Sequence, residues 1–336
     1  MKKIIYLSLL LFISCSSKDN KLIDKQHLTF KQINSNLILG RTDALMKKDS
    51  LLFLASHGTD SLLFVVNLID GSFVEKCQKG QGPNEYLSID NFGNVSNLLG
   101  FYDRHLRSYN NILFDDKTKD ITFKKSIKLD SAYYHVVPTA FDYFVGIGPY
   151  RKGLFKTINL NGKVMGTFFE QPYRDADERK TPELARAMAY QGRLTTSPDG
   201  KRMAHAIFMS QIISFYKLAP HDVDLIKSCA DDYPEYQPEL GQDSYASAMK
   251  RSNKLGYMDV FATKQYVYAL LSGRSTEEYA LSAFLGNRIL VYTWEGELVK
   301  ELVSDIDLQA ICVSSDDKTL YAVGLFDNYE LVIADL

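Results

Sequence analysis

The chain has 336 residues, 46% apolar and 24% charged, a globular balance that excludes wholesale disorder. Lys+Arg 39 against Asp+Glu 41 leaves a net charge of −2, which argues against a nucleic-acid binder. Removal of residues 1–14 as a signal would leave 322, above the ~250–300 residues at which one compact core stops growing, so two ordinary domains or one large all-β array remain.

Lys2 and Lys3 precede an apolar run over residues 4–13, and Ser14-Cys15 and the polar stretch Ser16-Ser17-Lys18-Asp19-Asn20 follow. A charged start, an apolar run of this length and a small residue before the cut define a secretory signal. The run is shorter than the ~20 apolar residues that span a bilayer. Ser14-Cys15 resembles the bacterial lipobox, whose cysteine is diacylated and becomes the mature N-terminus. A plain secreted protein with an incidental cysteine is the alternative. The expected organisation is a lipoprotein signal over 1–14, a lipidated tether over 15–26 and a folded body over 27–336. Acyl chains on Cys15 would then hold the protein at the membrane. Cys77, Cys229 and Cys312 form no CxxC pair, so zinc and thioredoxin-like readings lack support. An oxidising compartment permits one bridge among them; three buried, inert cysteines are the preferred expectation.

Along the body, strand-like apolar runs recur at 51–56 (LLFLAS), 98–103 (LLGFYD), 143–148 (YFVGIG), 202–208 (RMAHAIF), 265–271 (QYVYALL) and 319–325 (TLYAVGL), with starts 47, 45, 59, 63 and 54 residues apart. A propeller blade takes roughly 40–50 residues for four strands. Further strands follow each run across tight turns, at Asp70-Gly71, Asn161-Gly162 and Glu295-Gly296. Glycine accepts the positive φ that such hairpins need. Residues 197–200 (SPDG) and 314–317 (SSDD) precede two of the six runs as turns. Helical patterns fall in the two widest gaps. Thr181-Pro182 opens one over 183–190, stopped by Gly192, and Asp243 opens another over 244–255, stopped by Gly256. At the ends, 329–334 reads as the third strand of the last blade, and 27–32 as the fourth, closing the ring and removing free sheet edges. The expected fold is all-β: a six-bladed β-propeller with two short helical insertions.

The most specific string in the body is Lys79-Gly80-Gln81-Gly82-Pro83-Asn84-Glu85-Tyr86. With the lipobox, the six-strand spacing and the later Tyr102-Asp103 and Leu106-Arg107, it resembles the G-x-G-P-G-E-[YF] pattern of TolB-like six-bladed propeller lipoproteins of Bacteroides and relatives. Asn84 stands where that family usually has glycine, and asparagine tolerates left-handed backbone better than other residues. The resemblance implies the propeller fold and a bacterial envelope location, as an outer-membrane lipoprotein on an undetermined face. Within the motif, Gly80, Gly82, Pro83, Glu85 and Tyr86 include nothing reactive, so a rigid inter-blade turn is expected ahead of a ligand site.

No GxSxG, GxxxxGK[ST], HExxH or DxDxDG pattern occurs, so no catalytic residue, metal site or cofactor is assigned. The six histidines stand singly, and His205 reads as a satisfied core or channel residue. Propellers bind at the central channel and the loops of one face. Arg104, Tyr150, Arg151, Arg193 and Arg274 lie in loops beside the six runs and are the candidate ligand-binding residues, for an anionic or sugar ligand, with the helical insertions as a lid. The expected function is a non-enzymatic module binding a protein, peptide or glycan at the channel face. The alternative is a carbohydrate-active lyase or hydrolase using channel residues. No nucleic-acid partner is expected.

Overall fold

A computed structural model describes residues 23–33, 37–57, 60–96, 98–115, 120–124, 126–241 and 245–336. The signal over 1–14 and Cys15 lie outside the described residues. Four antiparallel blades follow one another. Blade 1 is Arg41–Lys48, Leu51–His57, Ser61–Asn67 and Phe73–Gln78. Blade 2 is Asn91–Val95, Leu98–Asp103 and Ser108–Phe114, with Ile121–Phe123 and Ile127–Lys128 sharing the outer position. Blade 3 is His135–Pro138, Tyr143–Ile147, Phe155–Asn159 and Val164–Phe168. Blade 4 is Gly192–Thr196, Arg202–Ile207, Ile212–Ala219 and Asp222–Ala230.

Blades 5 and 6 share one 16-residue strand, Leu298–Val313. Its first half pairs with Gly286–Thr293, behind Tyr266–Leu271 and Tyr257–Ala262, and is the outer strand of blade 5. Its second half pairs with Thr319–Leu325 and is the inner strand of blade 6. Tyr329–Asp335 follows, and Lys31–Gln32 pairs antiparallel with it as the fourth strand. The first strands of the six blades touch one another in sequence, and the last touches the first, so they enclose a channel.

The six apolar runs are the second strands of the six blades. They read as apolar throughout because neighbouring blades cover both of their faces. Phe53, Phe101, Phe144, Ala204, Leu270 and Ala322 at their centres are all fully buried. Each large side chain among them contributes roughly 1.5–3 kcal/mol of burial. Cys77 and Cys312 are buried and Cys229 half-buried, all three as free thiols. Burial pushes the thiols of all three up, which keeps them protonated.

Strand polarity sorts the loops onto two faces. The hairpins joining first to second and third to fourth strands lie on one, the hairpin face. The connections between blades lie on the other, the connector face, with the loops joining second to third strands. Helix α1, Glu183–Ala189, lies in the long connection after blade 3, as the sequence predicts. The second predicted helix, 244–255, is replaced by strands. Tyr236–Leu240 and Tyr245–Met249 form a hairpin that packs on α1, with Ser247 Oγ donating to the Ala185 carbonyl at 2.6 Å. Its apolar partners come from outside the segment: Tyr236 and Met249 pack against buried Tyr190 and Ile207. The second helix, α2, is Thr276–Tyr279 instead, where Ser275 caps the Glu278 amide. All three insertions stand on the connector face. No helix among the described residues is long and apolar enough to cross a membrane.

Ring closure is narrower than predicted. Only Lys31–Gln32 completes blade 6, while Asp24–Leu28 runs parallel to residues 300–304 on the outside of blade 5. Among the described residues strand structure begins at Asp24, inside the stretch 15–26 expected as a tether. Leu28 and Phe30 are buried in the core that blades 5 and 6 share.

Candidate channel site

An inner strand has a neighbour on one edge only, so its other edge points amides and carbonyls at the channel. Buried backbone groups need partners. Side chains from the neighbouring blade supply them. Asn91 of blade 2 donates to the Val136 carbonyl at 2.8 Å and accepts from the Val136 amide at 3.2 Å. His135 Nδ1 accepts from the Leu194 amide at 3.4 Å, linking blade 3 to blade 4. Asp259 Oδ2 accepts from the Ile311 amide at 2.9 Å, linking blade 5 to blade 6. Gln309 accepts from the Thr42 amide at 2.7 Å, linking blade 6 to blade 1. This ring of polar straps was not legible in the sequence, because the strapping residues share neither type nor spacing.

Between the inner strands lies a cavity of about 680 Å³, lined by residues from all six blades. Lys47, Lys48 and Lys264 stand at its hairpin-face end. Met46, Phe92, Val137, Phe261 and Val313 form apolar walls, and Asn91, His135, Arg193 and Asp259 form the end nearer the connector face. There the Arg193 Nη1 atom donates to the Asp43 carbonyl at 2.8 Å. Blades 4 and 1 are opposite in a ring of six, so this side chain bars the bore. Asp259 Oδ1 lies 3.7 Å from the same nitrogen.

The charges around Arg193 are unevenly held. Burial alone would raise the Asp43 carboxyl. The hydrogen bond from His57 at 2.8 Å, with the charges of Arg193 and Arg41, outweighs burial and holds it at about 2. The same bond to Asp43 raises His57. Burial pushes Asp259 up to about 6, against the pull of Arg193 and of two amides. Burial, with Arg193 and Arg104, holds His135 well below the ordinary histidine value, so its ring is neutral. His205 is buried and held down to about 3. Its Nε2 has no partner among the described residues, so it is not the satisfied histidine that the sequence predicts.

All five candidate ligand residues lie at the connector end of the propeller, but only Arg193 lines the cavity. Arg104 gives Nη2 to Asp90 at 3.1 Å. Arg274 makes a two-pronged pair with Asp307, at 2.7 and 2.6 Å, and lies over the Tyr279 ring. Tyr150 is buried in a core cluster, edge-on to Tyr133 and beneath Lys156. Arg151 beside it is exposed.

The motif residues form a closed loop between blades 1 and 2. The Glu85 carboxylate accepts from the Gly82 amide at 2.7 Å, and Gly80 donates to the Tyr86 carbonyl at 2.9 Å. A Cβ on Gly80 would sit 1.9 Å from the Glu85 carboxylate and would displace it from the Gly82 amide. Pro83 and Asn84 make the exposed turn, and Asn84 takes a φ of 62°, the left-handed backbone that the family's glycine would adopt. Tyr86 packs edge-on to Phe101 in the core. Among the described residues no group of three metal-ligating side chains occurs.

The sequence profile of a family described as "TolB-like 6-blade propeller-like" matches residues 41–316. Among solved structures, "Structure of U3-55K" is similar at 11% identity, covering 91% of this chain and 98% of that one, with a TM-score of 0.51. "Crystal structure of RRP9 WD40 repeats" is similar at 9% identity, covering 91% of this chain and 96% of that one, with a TM-score of 0.51. At these identities the likeness concerns the fold alone. No curated protein matches the chain.

Proposed function

The chain belongs to the TolB-like 6-blade propeller-like family, which is associated with the bacterial envelope, and from that premise we propose an outer-membrane lipoprotein whose propeller binds a ligand in its central channel. The cavity of about 680 Å³ between the inner strands carries this reading. Its size falls within the ~300–1,000 Å³ of small-molecule and cofactor sites. Its polar end favours binding over chemistry: Asn91, His135 and Asp259 are each already bonded to backbone of the inner strands. A peptide or glycan end inserted from the hairpin face fits the geometry better than one crossing the connector face, where Arg193 bars the bore.

Thr195 lines the cavity, and Thr195→Trp fills it. The variant is expected to lose a ligand or partner that wild type captures from envelope membranes, while the envelope location is kept. Equal capture by both proteins would overturn channel binding. The lipid anchor is tested by palmitate labelling, where Cys15→Ala is expected to abolish incorporation.

One observation favours the carbohydrate-active alternative. Asp259 lines the cavity beside Arg193 with its carboxyl raised to about 6, as a proton donor's would be. Turnover of an envelope polysaccharide that Asp259→Asn abolishes would establish it in place of the binding reading.

A further inference from the structure

Building on the channel as a binding site, we infer that its ligand is an organic acid whose carboxylate docks on Arg193. The arginines nearby differ in how far their donors are spent. Arg274 gives both terminal nitrogens to Asp307, and Arg186 gives all three nitrogens to Thr181, Gln171 and Glu170. Arg193 gives Nη1 to the Asp43 carbonyl, and its Nε and Nη2 have no protein partner among the described residues. Its side chain is 17% exposed and lines the cavity. With the side chain lining the cavity, a ligand carboxylate there can accept from these donors in place of water. The planar guanidinium fork matches the two oxygens of a carboxylate.

The neighbouring carboxylates do not serve in its place. Asp43 directs its carboxylate to Arg41 and His57 and shows Arg193 only its carbonyl. Asp259 spends its two oxygens on the Val260 and Ile311 amides and stays 3.7 Å from Arg193.

His135 supplies a second donor. Its Nδ1 accepts from Leu194, so the neutral ring carries its proton on Nε2. At the far end, Lys47, Lys48 and Lys264 give the hairpin-face mouth a positive field that draws in an acid. The apolar walls between, with Phe92 and Phe261, accept a hydrocarbon or ring-bearing body.

The test uses three acids, each against its primary amide: 4-phenylbutanoate, galacturonate and N-acetylphenylalanine. Calorimetry gives affinities. The only tryptophan, Trp294, reports on occupancy by fluorescence, because its ring nitrogen donates to the carbonyl of Thr263 in the cavity wall. At least one acid is expected to bind about tenfold or more tightly than its amide, the usual worth of a charge-assisted pair. Arg193→Gln is expected to erase that preference, so that acid and amide bind within about twofold of each other. The wild-type acid-to-amide ratio needs no variant, so poor folding of Arg193→Gln does not obscure the result. Acid and amide binding equally would overturn the carboxylate assignment and leave channel binding standing. A preference that survives in Arg193→Gln would move the anion site elsewhere and overturn the inference. Failure of all three acids, with Trp294 unperturbed, would count against both the inference and channel binding by small ligands.

Discussion

Asp43 and Asp259 stand on either side of one guanidinium, yet their carboxyls are displaced in opposite directions. The difference lies in what else each meets: a histidine and a second arginine for Asp43, near-complete burial for Asp259. Folded Asp259 keeps its proton up to about 6 against an ordinary value of 3.8, so the folded state binds more protons between these values. Stability contributed by this group therefore falls as pH rises through that window, by roughly 3 kcal/mol. Thermal midpoints measured from pH 4 to 7 should show that Asp259→Asn lacks this component of the slope. The Asp43–His57 bond behaves differently. The raised histidine contributes fully below its unfolded value of 6.5 and loses its contribution as pH climbs through the folded value. The depressed Asp43 contributes above 3.8 and loses its contribution as pH falls toward 2. Wild type should therefore exceed His57→Gln in thermal midpoint most clearly between about pH 4 and 6.5, with the gap closing on both sides.

At the scale of elements, the connection after blade 3 is organised around Arg186. This residue is 2% exposed, donates to the carbonyls of Thr181 and Gln171, pairs with Glu170 at 2.8 Å and lies beside the Tyr173 ring. Glu183 at the start of α1 ties the connection back to blade 3 by accepting from the Gly153 amide at 2.8 Å. Arg186→Ala leaves the carbonyls of Thr181 and Gln171 without their donor, while Glu170 keeps Arg179 at 3.0 Å, a change of the kind that costs roughly 1–3 kcal/mol. Because α1 packs on the hairpin 236–249 rather than inside a blade, the loss should stay local. Hydrogen exchange should speed up over 170–190 and 236–249, with the inner strands unchanged. Uniform acceleration across the chain would contradict that division.

For the whole molecule, closure depends on the N-terminal strand and on the shared strand Leu298–Val313. The shared strand makes blades 5 and 6 one continuous sheet, and Lys31–Gln32 joins the chain's start to its last blade. A ring in which each blade is covered by two neighbours unfolds as a unit. Phe30, 8% exposed and packed into the core of blades 5 and 6, anchors that closure. Phe30→Ala should cost roughly 3–5 kcal/mol and shift a single denaturation transition as a whole. An early, separate transition would show instead that blades 5 and 6 open independently.

The sequence by itself determined the propeller and its six second strands, because those strands are buried on both faces and so read as apolar runs. It also determined the turns that glycine makes tight and the place of the first helix, which Pro182 opens, although Gly192, expected to stop it, instead begins the first strand of blade 4. The Ser275 cap on the Glu278 amide was equally local, and it marks α2 for a reader who looks for it. Residues 245–249 form a strand through partners supplied by 236–240 and α1, which no local pattern encodes. The same holds for the site. Arg104, Tyr150, Arg151, Arg193 and Arg274 are alike as basic or aromatic loop positions, and only tertiary contacts separate them. Asp307 and Asp90 engage Arg274 and Arg104, the core buries Tyr150, and Arg193 is left facing the channel. Burial and repeat spacing are written along the chain, whereas the pairing of charges depends on which side chains the folded and neighbouring blades bring together.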